Sequence, residues 1–190
     1  MNNDPWLDKW IPLLRQKSAN GLVLELGCGD GQDTLPLSNA GCKVIATDLS
    51  TGNLSTTQLT APQADVIQLN HGHPLPFESH SVDVIIASLS LHYFTWIVTM
   101  QVESELRRCL KVKGVLLARF NSMNDVNYGA LSTDAIEPNL YQVGTRTKRF
   151  FDEVNMRAFL RDWDIQFLEE NTIDRYEKPK SVWEVLAVCK

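Results

Sequence analysis

Apolar residues along this chain fall into two alternating patterns. Short solid runs occupy residues 21–26, 43–47, 66–69, Val82–Ser88 and 115–120, and these read as strands. The near-continuous apolar run Val82–Ser88 has the character of a strand buried on both faces. Between the runs, apolar residues recur at helical spacing. Trp6, Leu7, Trp10, Leu13 and Leu14 predict a short amphipathic helix at the N-terminus despite Pro12. A second helix is expected from about residue 32 to Gly41, a suitable residue just past a helix end. A weak helix is expected over residues 49–59. A long one carries Ile97, Met100, Leu106, Cys109 and Leu110 and is closed by Gly114. Strands that alternate with helices imply parallel strands joined by crossovers, an α/β arrangement.

The last third of the chain reads differently. Residues 121–148 show little periodicity, which predicts a long loop on the substrate side of the molecule, over roughly residues 121–150. Asp152 is placed to cap a helix whose apolar face is Met156, Phe159, Leu160 and Trp163. Residues 165–173 and 182–189 then form two strands, and the short connection between them requires antiparallel pairing. The pattern describes one domain over residues 1–190, with residues 1–20 as an N-terminal lid helix.

Composition narrows the partners. The 190 residues are 44% hydrophobic and 22% charged, ordinary values for a globular protein with a full core. A net charge of −5 lacks the electrostatic footprint of a nucleic-acid binder, and the cluster Arg146, Lys148, Arg149 reads as a solvated loop. The four cysteines show no CxxC pairing, so neither a zinc site nor a disulfide framework is indicated. His71 and His73 form an H-x-H pair with no third ligand nearby, which leaves the expectation of a metal at none. No secretory signal and no membrane span is apparent, and the expected location is cytoplasmic.

The chemistry concentrates where the first strand ends. Glu25-Leu26-Gly27-Cys28-Gly29-Asp30-Gly31 runs from a strand into a glycine-rich turn, a sequence that lets backbone N–H groups approach a ligand closely. Asp48 stands 21 residues after Gly27, at the end of the second strand, where a carboxylate accepts hydrogen bonds from ribose hydroxyls. These features predict a bound nucleoside cofactor. The dinucleotide fingerprint needs a third glycine where this chain has Gln32, and Glu25 would sit awkwardly beside a pyrophosphate but suits an ammonium group. S-adenosylmethionine therefore fits better than NAD.

Glu25–Gly31 resembles motif I of the class I S-adenosylmethionine-dependent methyltransferases. Ala46-Thr47-Asp48-Leu49-Ser50 is similar to that family's ribose-binding strand end. Pro74-Leu75-Pro76-Phe77 with Ser81–Ile86 resembles the approach to its fourth strand, and residues 107–116 its helix-to-fifth-strand junction. The closest tone is that of the small-molecule types, ubiquinone-biosynthesis-like and tellurite-resistance-like. The resemblance implies a doubly wound, Rossmann-like, seven-stranded mostly parallel sheet with a C-terminal antiparallel hairpin. It also implies methyl transfer by in-line displacement to a small-molecule acceptor. A catalytically silent cofactor-binding protein and an NAD-dependent oxidoreductase are the alternatives.

The resemblance nominates Glu25, Gly27, Cys28, Gly29, Gly31, Gln32, Asp33, Asp48, Leu49, Asn70, His71, Ser88 and Leu89 as cofactor-binding residues. Asn70 stands where the family usually has an Asp facing the adenine amino group, a loss of charge at that contact. His92 and Tyr93, in the turn after the fourth strand, are the candidate catalytic residues, with His92 as a general base. Trp6, Trp10, Arg119, Asn121, Tyr128 and Arg149 are the candidate acceptor contacts.

Overall fold

The structure, a computed structural model, describes residues 4–19 and 21–190. Its elements follow in the order α1 (Ile11–Lys17), β1 (Leu22–Leu26), α2 (Thr34–Asn39), β2 (Lys43–Asp48), α3 (Thr51–Thr60), β3 (Asp65–Gln68), β4 (Val82–Ser88), α4 (Trp96–Cys109) and β5 (Leu110–Asn121). Three short strands come next, β6 (Ala135–Glu137), β7 (Leu140–Val143) and β8 (Arg146–Arg149), then α5 (Glu153–Phe159), β9 (Trp163–Ile173) and β10 (Lys180–Cys189).

Seven strands form one sheet in the order β3-β2-β1-β4-β5-β10-β9. β1 to β5 run parallel, and β10 pairs antiparallel with both β5 and β9. The order reverses at β1 and β4, the switch point at which ligands bind in open α/β sheets. Alternation along the central strands divides the core in two. Leu24, Leu26, Ile85, Leu116 and Ala118 face α4 and α5, with Leu106, Cys109, Met156 and Phe159 packed over them. Val23, Val84, Ile86, Val115 and Leu117 face the other side, under Leu14 of α1, Leu37 of α2 and Leu54 of α3. Both faces of the central strands are covered, which is why these strands read as solid apolar runs.

Three expectations are corrected. The N-terminal helix begins only at Ile11, where Pro12 occupies its first turn and the missing N–H costs nothing; residues 6–10 are turns. Gly114 does not close α4. The helix ends at Cys109 and runs directly into β5, and Gly114 lies within that strand, where an added Cβ would stand 2.7 Å from the Lys111 carbonyl oxygen. Residues 121–148 are not a featureless loop but carry a separate antiparallel sheet, β6-β7-β8. Its strands are three or four residues long with no clean alternation of burial, so they leave no period in the sequence. The Asp152 cap stands as expected: its side chain accepts the Asn155 N–H at 2.7 Å.

Candidate functional site

The carboxyl end of β1 is held against β2 before it turns. The N–H groups of Gly27 and Cys28 both donate to the Thr47 carbonyl, at 2.7 and 2.9 Å. The chain then reverses through Gly27 and Gly29, at φ of +76° and +57°, a region where a side chain is strained. At Gly27 a Cβ would also meet the Ser90 Cβ at 2.4 Å, whereas at Gly29 it would point into open space. The turn is thus packed on one side and bare on the other.

Asp48, the last residue of β2, faces that bare side. Its Oδ2 accepts the Gly29 N–H at 3.0 Å and its Oδ1 accepts the Ser50 N–H at 2.8 Å. Ser50 in turn caps α3 by accepting the Asn53 N–H. Each carboxylate oxygen keeps a further lone pair, so the group is fixed in place yet able to accept more hydrogen bonds. After β4 the chain turns through Leu89, whose φ of +55° is unusual for a residue with a side chain and costs about 1–2 kcal/mol. The Leu89 N–H donates to the Arg119 carbonyl at 2.9 Å, which anchors this turn to β5.

These strand ends open onto a cleft of about 950 Å³. Of the residues nominated for the cofactor, Gly27, Cys28, Gly29, Gln32, Asp33, Asp48, Leu49, Asn70, His71, Ser88 and Leu89 line it, and so does Tyr93. Glu25 and Gly31 do not. Glu25 lies buried beneath the turn, where its Oε2 accepts the Thr34 hydroxyl at 2.6 Å. Gly31 serves packing, since an added Cβ would stand 3.2 Å from the Thr57 Cα on α3.

None of the acceptor-side nominations lines the cleft, and each of these side chains makes contacts within the fold. The Trp6 indole N–H donates to Asp33 at 2.8 Å, and the Trp10 indole N–H to Glu184 at 2.7 Å. Arg119 is wholly buried, with Ser88 Oγ at 2.8 Å, Asp4 at 2.5 Å and its guanidinium 4.2 Å over the Trp6 ring. Asn121 donates to the Arg149 carbonyl at 3.4 Å. The Tyr128 hydroxyl binds the backbone of Lys178. Arg149 is buried against Glu137 and the Phe94 carbonyl. His92 is likewise buried off the cleft wall, at 4% exposure, and burial together with Lys180 and Lys148 holds its imidazole well below the usual pKa. Burial thus disfavours its protonated form.

Sequence reasoning missed much of the far wall. Gln142, Thr145, Arg146 and Thr147 reach it from the β7–β8 hairpin, and Arg175 and Tyr176 from the β9–β10 connection. Asp4, Ser90 and Phe94 also line it. The only available signal was the basic cluster, and the structure splits it: Arg146 reaches the cleft, Lys148 approaches the Tyr128 carbonyl, and Arg149 is buried.

Burial sets the protonation of the groups around the turn. Desolvation, then the charge of Asp33, pushes the Glu25 carboxyl up to about 8. Burial raises the Cys28 thiol to about 12, which leaves it protonated and inert. Burial lowers His71 to about 4. The Thr47 hydroxyl donates its one proton to the Glu25 carbonyl at 2.8 Å, so His71, 3.1 Å away through Nε2, must donate to it from that nitrogen. His71 is therefore the neutral Nε2–H tautomer, with Nδ1 left as an acceptor.

A family model described as a methyltransferase domain matches residues 24–118, half of the chain. An uncharacterised methyltransferase from Synechocystis is 33% identical over 93 residues, 49% of this chain and 43% of that protein. The matched stretch thus spans less than half the length of this curated relative. Among solved structures, a SAM-dependent methyltransferase from Methanosarcina mazei superposes with a TM-score of 0.75 at 16% identity, covering 93% of this chain and 96% of that one. Magnesium protoporphyrin IX methyltransferase from Synechocystis with bound SAH superposes with a TM-score of 0.71 at 20% identity, covering 97% and 82%. These two likenesses establish a shared fold. The matched residues run from within β1 to within β5 and include the glycine turn, Asp48 and the β4 turn, and the chain belongs to the methyltransferase-domain family of class I S-adenosylmethionine-dependent methyltransferases.

Proposed function

We propose that this chain binds S-adenosylmethionine in the cleft at the carboxyl ends of β1 to β4 and transfers its methyl group to a small-molecule acceptor. The observation that carries the reading is Asp48, oriented by the Gly29 and Ser50 N–H groups beside a glycine turn that is open on the ligand side. The residues present fit the cofactor on further grounds. Asp30, Asp33 and Asp48 line the cleft near the turn, where they suit a ligand carrying a sulfonium and an ammonium charge. The Ser90 hydroxyl is buried at the cleft with no partner among the described residues. The family match sets the NAD reading aside.

In this reading Asp48 holds the ribose hydroxyls with its remaining lone pairs. The bare backbone at Gly29 admits the cofactor without a clash. Leu49, Asn70 and His71 flank the base, and the Asn70 amide oxygen, already accepting the Gly72 N–H at 3.0 Å, keeps one lone pair for it. The bound cofactor supplies an electrophilic methyl whose departure leaves a neutral thioether. No acid is then needed, and the chain's own work is to align the acceptor and exclude water. Tyr93, Phe94 and Tyr176 do the latter from the far wall.

A net charge of −5 weighs against a nucleic-acid acceptor. Among the described residues no helix is long and apolar enough to cross a membrane. The four free, buried cysteines suit a reducing compartment, and we place the activity in the cytoplasm.

Calorimetric titration with S-adenosylmethionine and S-adenosylhomocysteine tests the reading, followed by assay of S-adenosylhomocysteine release across an acceptor panel. Micromolar binding with turnover supports it. Absence of binding by folded protein overturns it, and binding without turnover on any acceptor favours a silent cofactor-binding protein.

A further inference from the structure

Both signs of charge line the cleft. Its acidic side chains are Asp30, Asp33 and Asp48 around the β1 and β2 turns, with Asp4 at the N-terminal edge. Its guanidinium groups are Arg146, at the start of β8, and Arg175, in the β9–β10 connection. Both arginines lie outside the stretch that matches the family model.

Arg175 shares a carboxylate that another arginine already engages, and Arg146 has none among the described residues. Asp4 Oδ2 is taken by Arg119 at 2.5 Å, and Arg175 Nη1 approaches the same oxygen only at 3.7 Å. Arg175 Nη2 donates to the Tyr176 hydroxyl at 2.9 Å, which orients the guanidinium beside an aromatic ring at the cleft edge. Arg146 is exposed and makes no ion pair among the described residues. Two arginines are an unfavourable lining for the positively charged cofactor, and a favourable one for its reaction partner. A planar guanidinium fork matches a planar carboxylate through paired hydrogen bonds, and the rings of Tyr93, Phe94 and Tyr176 offer flat apolar surface beside it.

We propose that Arg146 and Arg175 select the acceptor, and that it is a small aromatic carboxylic acid whose carboxylate sits on the two guanidinium groups while its ring lies among Tyr93, Phe94 and Tyr176. The proposal rests on the methyltransferase reading of the same cleft.

The test is calorimetric titration of protein saturated with S-adenosylhomocysteine. The probes are 4-hydroxybenzoate, 3,4-dihydroxybenzoate and the matching uncharged amides. The expected result is that at least one acid binds and its amide binds at least tenfold more weakly. Arg146→Gln and Arg175→Gln should each weaken the acid at least fivefold and leave S-adenosylhomocysteine affinity within twofold. Three results overturn the proposal: neither acid binds, acid and amide bind alike, or both variants bind the acid as the native protein does. A fourth result also overturns it: Arg175→Gln weakens S-adenosylhomocysteine tenfold yet spares 5′-methylthioadenosine, which would assign that arginine to the cofactor's own carboxylate. Failure of the cofactor reading is separate and appears first, as absence of S-adenosylhomocysteine binding by the native protein.

Discussion

The Asp48 carboxylate accepts the Gly29 backbone N–H at 3.0 Å, tying the end of β2 to the glycine turn that follows β1. One side chain thereby shapes the turn and presents its free lone pairs to the cleft. Asp48→Ala removes both roles, and S-adenosylhomocysteine should bind with a loss of about 1–3 kcal/mol, the cost of leaving buried polar partners unpaired. Asp48→Asn keeps an oxygen for one backbone N–H and should fall between the two. Titration calorimetry on the three proteins checks this order, and equal affinity of all three would contradict it.

The two glycines of the turn should respond differently to the same change. Gly27→Ala forces a Cβ to within 2.4 Å of Ser90 and strains the backbone, so thermal or denaturant unfolding should show a loss well above the 1–2 kcal/mol of a left-handed residue alone. Gly29→Ala meets nothing within 4 Å and carries only the backbone strain, so it should remain folded. Its Cβ still stands where the cofactor must approach, and cofactor affinity should drop at least tenfold. Similar unfolding midpoints for the two variants would refute the distinction.

Stability should fall as pH rises through the neutral range. The Glu25 carboxyl ionises near 4.5 in the unfolded chain and near 8 in the fold, so between those values the unfolded state has given up a proton that the native state retains. Unfolding is then increasingly favoured with rising pH until the folded group also ionises. Asp33, raised by burial, acts in the same direction. His71 acts oppositely but lower: its pKa falls from 6.5 to about 4 in the fold, so it costs stability only as pH drops through that interval. Above pH 6.5 Glu25 decides the slope. Glu25→Gln should flatten the decline between pH 6.5 and 8 and gain on the order of a few kcal/mol at pH 8. Chemical denaturation across that range is the measurement, and an unchanged slope counts against a proton held on Glu25.

Arg119 and Arg149 should behave as structural residues. Each is buried and paired, Arg119 with Asp4 and Arg149 with Glu137. Arg119→Met or Arg149→Met removes the nearest counter-charge of its partner and should cost about 1–3 kcal/mol of folding stability. At a temperature where the Arg149→Met variant is fully folded, its affinity for S-adenosylhomocysteine should match that of the native protein. A selective loss of acceptor affinity with unchanged stability would restore Arg149 as an acceptor contact.

The sequence by itself determined the parallel sheet and the cofactor edge of the cleft. A strand buried on both faces must be a solid apolar run, and a backbone that approaches a ligand must lack side chains, so β4 and the Gly27–Gly29 turn are visible in local composition alone. Asp48 is legible for the same local reason, as a carboxylate at a strand end. What residues 24–118 hold in common with the family is written in consecutive residues.

Only the tertiary structure decided the opposite wall. Arg146 and Arg149 are three residues apart on the same short strand, and one reaches the cleft while the other is buried against Glu137. No local pattern separates them, because the difference arises from where β6, β7 and α4 sit around β8. The same holds for His92 and Tyr93, adjacent in the chain, of which only Tyr93 lines the cleft. Trp6 and Arg119 show the converse: residues suited to grip a ligand are instead satisfied by each other, by Asp33 and by Asp4. A polar or aromatic side chain declares its chemistry in the sequence. Which partner takes it up is set by contacts between residues far apart in the chain, and those exist only once the sheet has assembled.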